Sequence, residues 1–79
     1  MDLENKNMHL RDVVQQKDGF VLVDTQFVRL DGEYETMVFK CNCDGSKVDY
    51  AKELRSDAYE TEEDARDGHS FVVEAMKNM

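Results

Sequence analysis

The chain has no proline, no tryptophan, two cysteines and only 10 basic residues among 79. Each shortage removes a class of protein. The basic residues face 18 acidic ones, for a formal charge of −8. A nucleic-acid backbone demands a basic footprint, so direct binding to nucleic acid is not expected. No apolar run approaches the ~20 residues that a helix needs to cross a bilayer. The opening MDLENKNMHLRD lacks the basic start and apolar stretch of a signal peptide. A cytoplasmic protein with reduced thiols is therefore expected. Cys41 and Cys43 cannot by themselves supply the four ligands of a structural zinc site. They also lack the C-x-x-C spacing of a redox helix start. With no proline, punctuation falls to glycine, at Gly19, Gly32 and Gly45.

What is present suits one small domain over residues 1–79. A chain of this size buries roughly 60% of its unfolded surface, enough for one sheet against one or two helices. The expected class is α+β: an antiparallel hairpin packed on a C-terminal helix, with a short N-terminal helix. Residues 3–16 carry a thin apolar stripe, Leu3, Leu10, Val13 and Val14, which predicts that short helix. Asn7 is an alternative cap for a helix starting at Met8. The segment over residues 1–18 is expected to be loosely docked or partly disordered. Val21 to Cys43 reads as the hairpin, turned at Asp31-Gly32-Glu33. In that register one face pairs Val21 with Cys43, Val23 with Cys41, Thr25 with Phe39, Phe27 with Met37 and Arg29 with Glu35. The other pairs Leu22 with Asn42, Asp24 with Lys40, Gln26 with Val38, Val28 with Thr36 and Leu30 with Tyr34. A two-residue Asp-Gly turn is the commoner local signal, but it mixes the faces, and a one-residue slip is costly once a face is buried. Glu53 to Tyr59 is a candidate third strand. The last helix starts at Thr61, with Glu62, Glu63 and Asp64 in its first turn. Ala65, Gly68, His69, Val72, Ala75 and Met76 form its apolar stripe. Gly68 is expected where the helix backbone approaches the sheet closely.

No catalytic constellation is legible, and an enzyme is not expected. Both thiols are expected on the core face beside Val21 and Val23, because free cysteine is among the most buried residue types. His69 as a general base would need an orienting carboxylate and a nucleophile. It is expected instead to bond a tyrosine hydroxyl or a backbone carbonyl. Glu63 to Glu74 has calcium-loop spacing in part but lies inside the helix pattern, so calcium is not expected. The candidate partner-binding residues are Leu30 and Tyr34, as apolar anchors at the hairpin tip, and Glu60, Glu62, Glu63, Asp64 and Asp67, as a charged rim. Leu30 and Tyr34 share a second sheet face with Leu22, Val28 and Val38, which is expected either to be covered by the N-terminal helix or to be a docking or homodimer surface. No cofactor and no membrane partner are expected.

Two stretches carry a resemblance. Tyr34-Glu35-Thr36-Met37-Val38-Phe39, and Tyr59-Glu60-Thr61-Glu62-Glu63 with Ala65, Gly68 and His69, resemble small uncharacterised bacteriophage and prophage proteins over about residues 25–76. Those have an ETMVF-type strand followed by a Y-x-T-E-E-x-A-x-x-G-H helix start. The resemblance implies expression in an infected bacterium and a cytoplasmic, non-enzymatic protein that binds and blocks a host or defence protein. A basic or nucleic-acid-binding host protein suits the negative charge. Two alternatives stay open: a small metal-binding module using Cys41 and Cys43, and a homodimeric accessory subunit. A nucleotide-binding version of the first lacks any Gly-rich phosphate loop.

Overall fold

A computed structural model describes residues 6–79. Four strands come in sequence order, β1 (His9–Gln16), β2 (Gly19–Val28), β3 (Glu33–Cys41) and β4 (Val48–Tyr59). They form one antiparallel sheet in which each strand pairs with the next. One helix, α1 (Glu62–Lys77), follows and packs across one face. The α+β class is as expected. The strand count is not, and no N-terminal helix exists among the described residues.

The expected helix over 3–16 is instead β1, although residues 3–5 of that expectation lie outside the described residues. Leu10 and Val14 fit a helical stripe and a strand equally well. What decides is period two: Met8 and Val14 are buried on the α1 side, with Leu10 and Gln16 half-buried between and beyond them. A Lys17-Asp18 connection leads into Gly19, whose φ of +139° suits only glycine. β2 then returns alongside and pairs with β1 along its whole length, His9 opposite Gln26 to Gln16 opposite Gly19.

The β2–β3 register differs from the expected one by three residues. The connection is Arg29 to Gly32, with Val28 opposite Glu33. The N–H groups of Asp31 and Gly32 both donate to the Val28 carbonyl, at 3.1 and 2.9 Å. Gly32 takes the left-handed turn at φ +68°. An odd slip turns one strand over relative to the other. Val21, Val23, Thr25 and Phe27 face the helix as expected, but their β3 partners are Lys40, Val38, Thr36 and Tyr34. Cys41 therefore lies half-buried on the other face, and Cys43 lies beyond the strand, exposed. The placement of both thiols in the core is corrected on this ground. The Asp24–Lys40 and Arg29–Glu35 pairs disappear with the same shift.

α1 begins as its sequence indicates. Thr61 caps it, its hydroxyl accepting from the Asp64 N–H at 3.1 Å. Ala65, His69, Val72 and Met76 point inward. Val72 and Met76 join Val14, Val21, Val23 and Val38 in one apolar cluster. Ala65 joins Met8 and Tyr34 in a second, bordered by Leu10, Phe27 and Tyr59. Each fully buried valine contributes roughly 1.5–3 kcal/mol.

The second sheet face is covered by another element than expected. Leu22 and Phe39 are buried there, side by side. Tyr50 stacks edge-on against Phe39 at 5.1 Å between ring centres. The β3–β4 connection folds back so far that a side chain at Gly45 would come within 2.7 Å of Val13. β4 can do this because its pairing with β3 is interrupted at Phe39 and again before Cys41.

Gly68 has the close approach expected of it: a Cβ there would collide with the Tyr59 ring. Gly→Ala in a helix interior normally stabilises by about 1 kcal/mol. Here the displaced ring costs about 1–3 kcal/mol, so Gly68→Ala should destabilise the fold on denaturant unfolding. In a Tyr59→Ala background the same substitution should stabilise it, and an unchanged sign would refute the contact.

Candidate functional site

The residues with chemistry fall into four places. The first is buried between the two apolar clusters. The Thr25 and Thr36 hydroxyls lie 2.5 Å apart, Thr25 Oγ1 lies 2.6 Å from His69 Nδ1, and His69 Nε2 lies 2.7 Å from Asp12 Oδ2. An ionised carboxylate only accepts, so Nε2–H donates to Asp12. In the neutral ring Nδ1 then accepts from Thr25, and Thr25 accepts from Thr36. Sequence reasoning missed these partners of His69, because Asp12 is 57 residues away. The order of groups is that of a hydroxyl activated by a histidine and a carboxylate. However, Thr25 and Thr36 are wholly buried, and only Asp12 reaches solvent. No substrate can meet that hydroxyl. The chain fastens α1 to three strands.

The second place is the face of β1 and β2 turned away from α1. The Asp24 carboxylate, nearly buried, lies 2.6 Å from His9 Nε2 and 3.8 Å from Arg11 Nε. Arg11 also donates to the Tyr50 hydroxyl at 3.4 Å. Asp24 is thus held by His9 and faced by Arg11.

The third place is the hairpin tip. The carboxyl of Glu35 is raised to about 7, first by a hydrogen bond with Asp31, then by burial, then by the charges of Asp31, Glu33 and Glu53. Leu30 is 99% exposed there. Tyr34 is not at the surface. It is 1% exposed, edge-on to Phe27 at 5.1 Å, so its role as a docking anchor is corrected to a core role. The slipped register turns it toward the helix.

The fourth is the outer side of α1. Glu60, Glu63, Asp64 and Asp67 are exposed, and no Lys, Arg or His pairs with them among the described residues. Glu62 differs: Arg66 holds it at 2.8 Å. Asp57 is likewise held by Arg55 at 2.8 Å. Four positions beyond Asp67 stands Phe71, 67% exposed, with the Arg55 guanidinium 5.8 Å from its ring centre. Sequence reasoning passed over Phe71, although the spacing Glu63, Asp67, Phe71 placed it on the acidic stripe.

The thiols bring no site together. Burial, then Asp44 and Cys43, push the Cys41 thiol up, away from the reactive thiolate. Among the described residues no three His, Cys, Asp or Glu side chains are grouped to hold a metal. No helix among them is long and apolar enough to cross a membrane. Comparison of the chain with protein-family models, curated proteins and solved structures finds no match.

Two outcomes follow from this geometry. Thr25→Val strands His69 Nδ1 and the Thr36 hydroxyl, and should cost about 1–3 kcal/mol of stability by denaturant unfolding. Thr36→Val leaves the Thr25–His69 bond intact and should cost less. The reverse order would contradict the place of Thr25 between His69 and Thr36. Glu35, raised above its ordinary 4.5 in the folded chain, binds more protons folded than unfolded between pH 4.5 and about 7. Its contribution to stability is therefore full below that window and is lost as pH rises through it. Glu35→Gln should make the melting midpoint less sensitive to pH between about 5 and 8.

Proposed function

We propose that this chain is a non-enzymatic interaction protein of the phage type that binds a basic bacterial host or defence protein and blocks it. The observation that carries the reading is the outer stripe of α1: Phe71, two-thirds exposed, in line with Glu63 and Asp67, neither of which has a basic partner among the described residues. An aromatic side chain left in water, rimmed by unpaired charge of one sign, is the composition of a docking surface rather than of a solvated face. Glu60 and Asp64 extend the rim, and the formal charge of −8 draws a basic partner from a distance. Leu30, on a different part of the molecule, is a secondary apolar contact.

This reading keeps Glu60, Glu63, Asp64 and Asp67 of the acidic residues expected from the sequence, sets aside Glu62, which Arg66 holds, and replaces Tyr34 by Phe71 as the aromatic anchor. The bacterial setting rests on the resemblance of the Tyr34 to Phe39 strand and the Tyr59 to His69 helix start. Blockade needs no chemistry from this chain. Occupying the partner's basic surface excludes whatever that surface normally holds.

The test is capture from bacterial lysate with folded bait, followed by binding measured against salt. Charge reversal, Glu63→Lys with Asp67→Lys, should weaken binding and flatten its salt dependence. Phe71→Ala should weaken it by about tenfold or more while leaving the salt slope unchanged. Equal salt slopes for the reversed and native chains would remove the electrostatic basis of the proposal.

A further inference from the structure

β4 ends the sheet on one side, and its only neighbour in the strand order is β3. Among the described residues, no backbone group of Val48–Tyr59 bonds to anything on its outer side. From Arg55 opposite Val38 to Tyr59 opposite Tyr34, its pairing with β3 is uninterrupted. Arg55 and Asp57 therefore share the α1 side, while Ser56 and Ala58 stand exposed on the other. Arg55 Nε lies 2.8 Å from Asp57 Oδ2, and the two side chains remain 33% and 34% exposed.

A second copy can add to such an edge antiparallel only about a two-fold axis normal to the sheet. That axis keeps every residue on its own face, so each meets a partner of its own parity. Charge self-complementarity then demands opposite signs an even number of residues apart on one face. β1, the other edge strand, has no such pair. Arg11 and Asp12 are adjacent, and His9 and Asp12 are separated by an odd step. In β4, Glu53 and Arg55 are two apart, but the bulge turns them to opposite faces, Glu53 with Phe39 and Arg55 with Val38. Arg55 and Asp57 meet the condition.

We propose that this chain forms a homodimer by antiparallel pairing of β4 with β4 of a second copy, centred on Ser56. Arg55 then meets Asp57 of the second copy, and Asp57 meets its Arg55. With the pair already present inside each chain, the charges close into an alternating ring. Leu54, 47% exposed, comes opposite Ala58 of the second copy. Charge on an edge strand normally keeps other strands away. Here the order of signs fits its own repeat, which selects another copy of this chain over an unrelated strand. The two four-stranded sheets become one, with both helices on the same side. Phe71, 5.8 Å from the Arg55 guanidinium, then appears twice on that side. The pairing leaves the outer stripe of α1 free and does not rest on the docking reading above.

Sedimentation equilibrium of the full chain over a range of concentrations tests this, with circular dichroism to show that each variant is folded. The native chain should reach the mass of a dimer. Asp57→Arg and Arg55→Asp, each alone, set like charges opposite one another and should weaken self-association by about tenfold or more. Mixing these two variants should restore association as a heterodimer, because every position 55 then faces an opposite charge at position 57. The double variant, Arg55→Asp with Asp57→Arg, should dimerise by itself. A native chain that stays monomeric overturns the proposal. So does a dimer that neither reversal weakens, or a mixture no tighter than its separate components. Amide exchange of the native chain gives a reading that needs no variant. The outward amides of β4 should become protected as concentration rises, and exchange independent of concentration would overturn the pairing.

Discussion

The pairing register of β2 with β3 is the constraint on which the rest of this structure depends. β2 is buried on both faces from Val21 to Thr25, so neither face can be given up to water. The Arg29 to Gly32 connection sets which β3 residues meet it. That choice puts Thr36 beside Thr25 and Val38 beside Val23 on the helix side. It puts Phe39 beside Leu22 on the other. A slip by one residue would set Phe39 or Cys41 against Val21 and Glu35 or Met37 against Thr25, turn the β3 faces over, and dissolve the hydroxyl pair that His69 reaches.

Polar groups inside the molecule are consistently partnered. Among the described residues no buried side-chain nitrogen or oxygen lacks a hydrogen bond. Both histidines bond an aspartate, His69 across from α1 to β1 and His9 across from β1 to β2. β1, an edge strand, is thereby tied on each of its faces. The buried chain from Thr36 to Asp12 costs desolvation but is fully satisfied, and a satisfied network orients the elements that share it. The surplus of negative charge is kept outside, on the α1 stripe and at the hairpin tip. The proposed function rests on that surface.

Legibility in the sequence followed the range of the interaction. The start of α1 is a local matter of a threonine hydroxyl and the N–H three residues on, and it stood where Thr61 indicated. The inward stripe of α1 was equally plain, down to the glycine that admits Tyr59. The N-terminal strand was not, because Leu10 and Val14 satisfy two periodicities and only a neighbouring strand distinguishes them. Of the candidate site, Leu30, Glu60, Glu63, Asp64 and Asp67 are at the surface and Glu62 is half-buried against Arg66, whereas Tyr34 is core and Phe71 takes the exposed aromatic position. Both differences trace to parity: which side of a ribbon a residue occupies depends on a turn whose length several local signals fit.

By itself the sequence determined what is short-range or additive: the α+β class, the cap and inner face of the helix, the glycine at its crossing, and the charge of −8. Only the tertiary structure decided the fourth strand, the face given to each thiol and the partners of His69. Those depend on contacts between residues far apart in the chain, such as Asp12 with His69. Their free energy exists only once the sheet has closed and water has left, and no local preference records it.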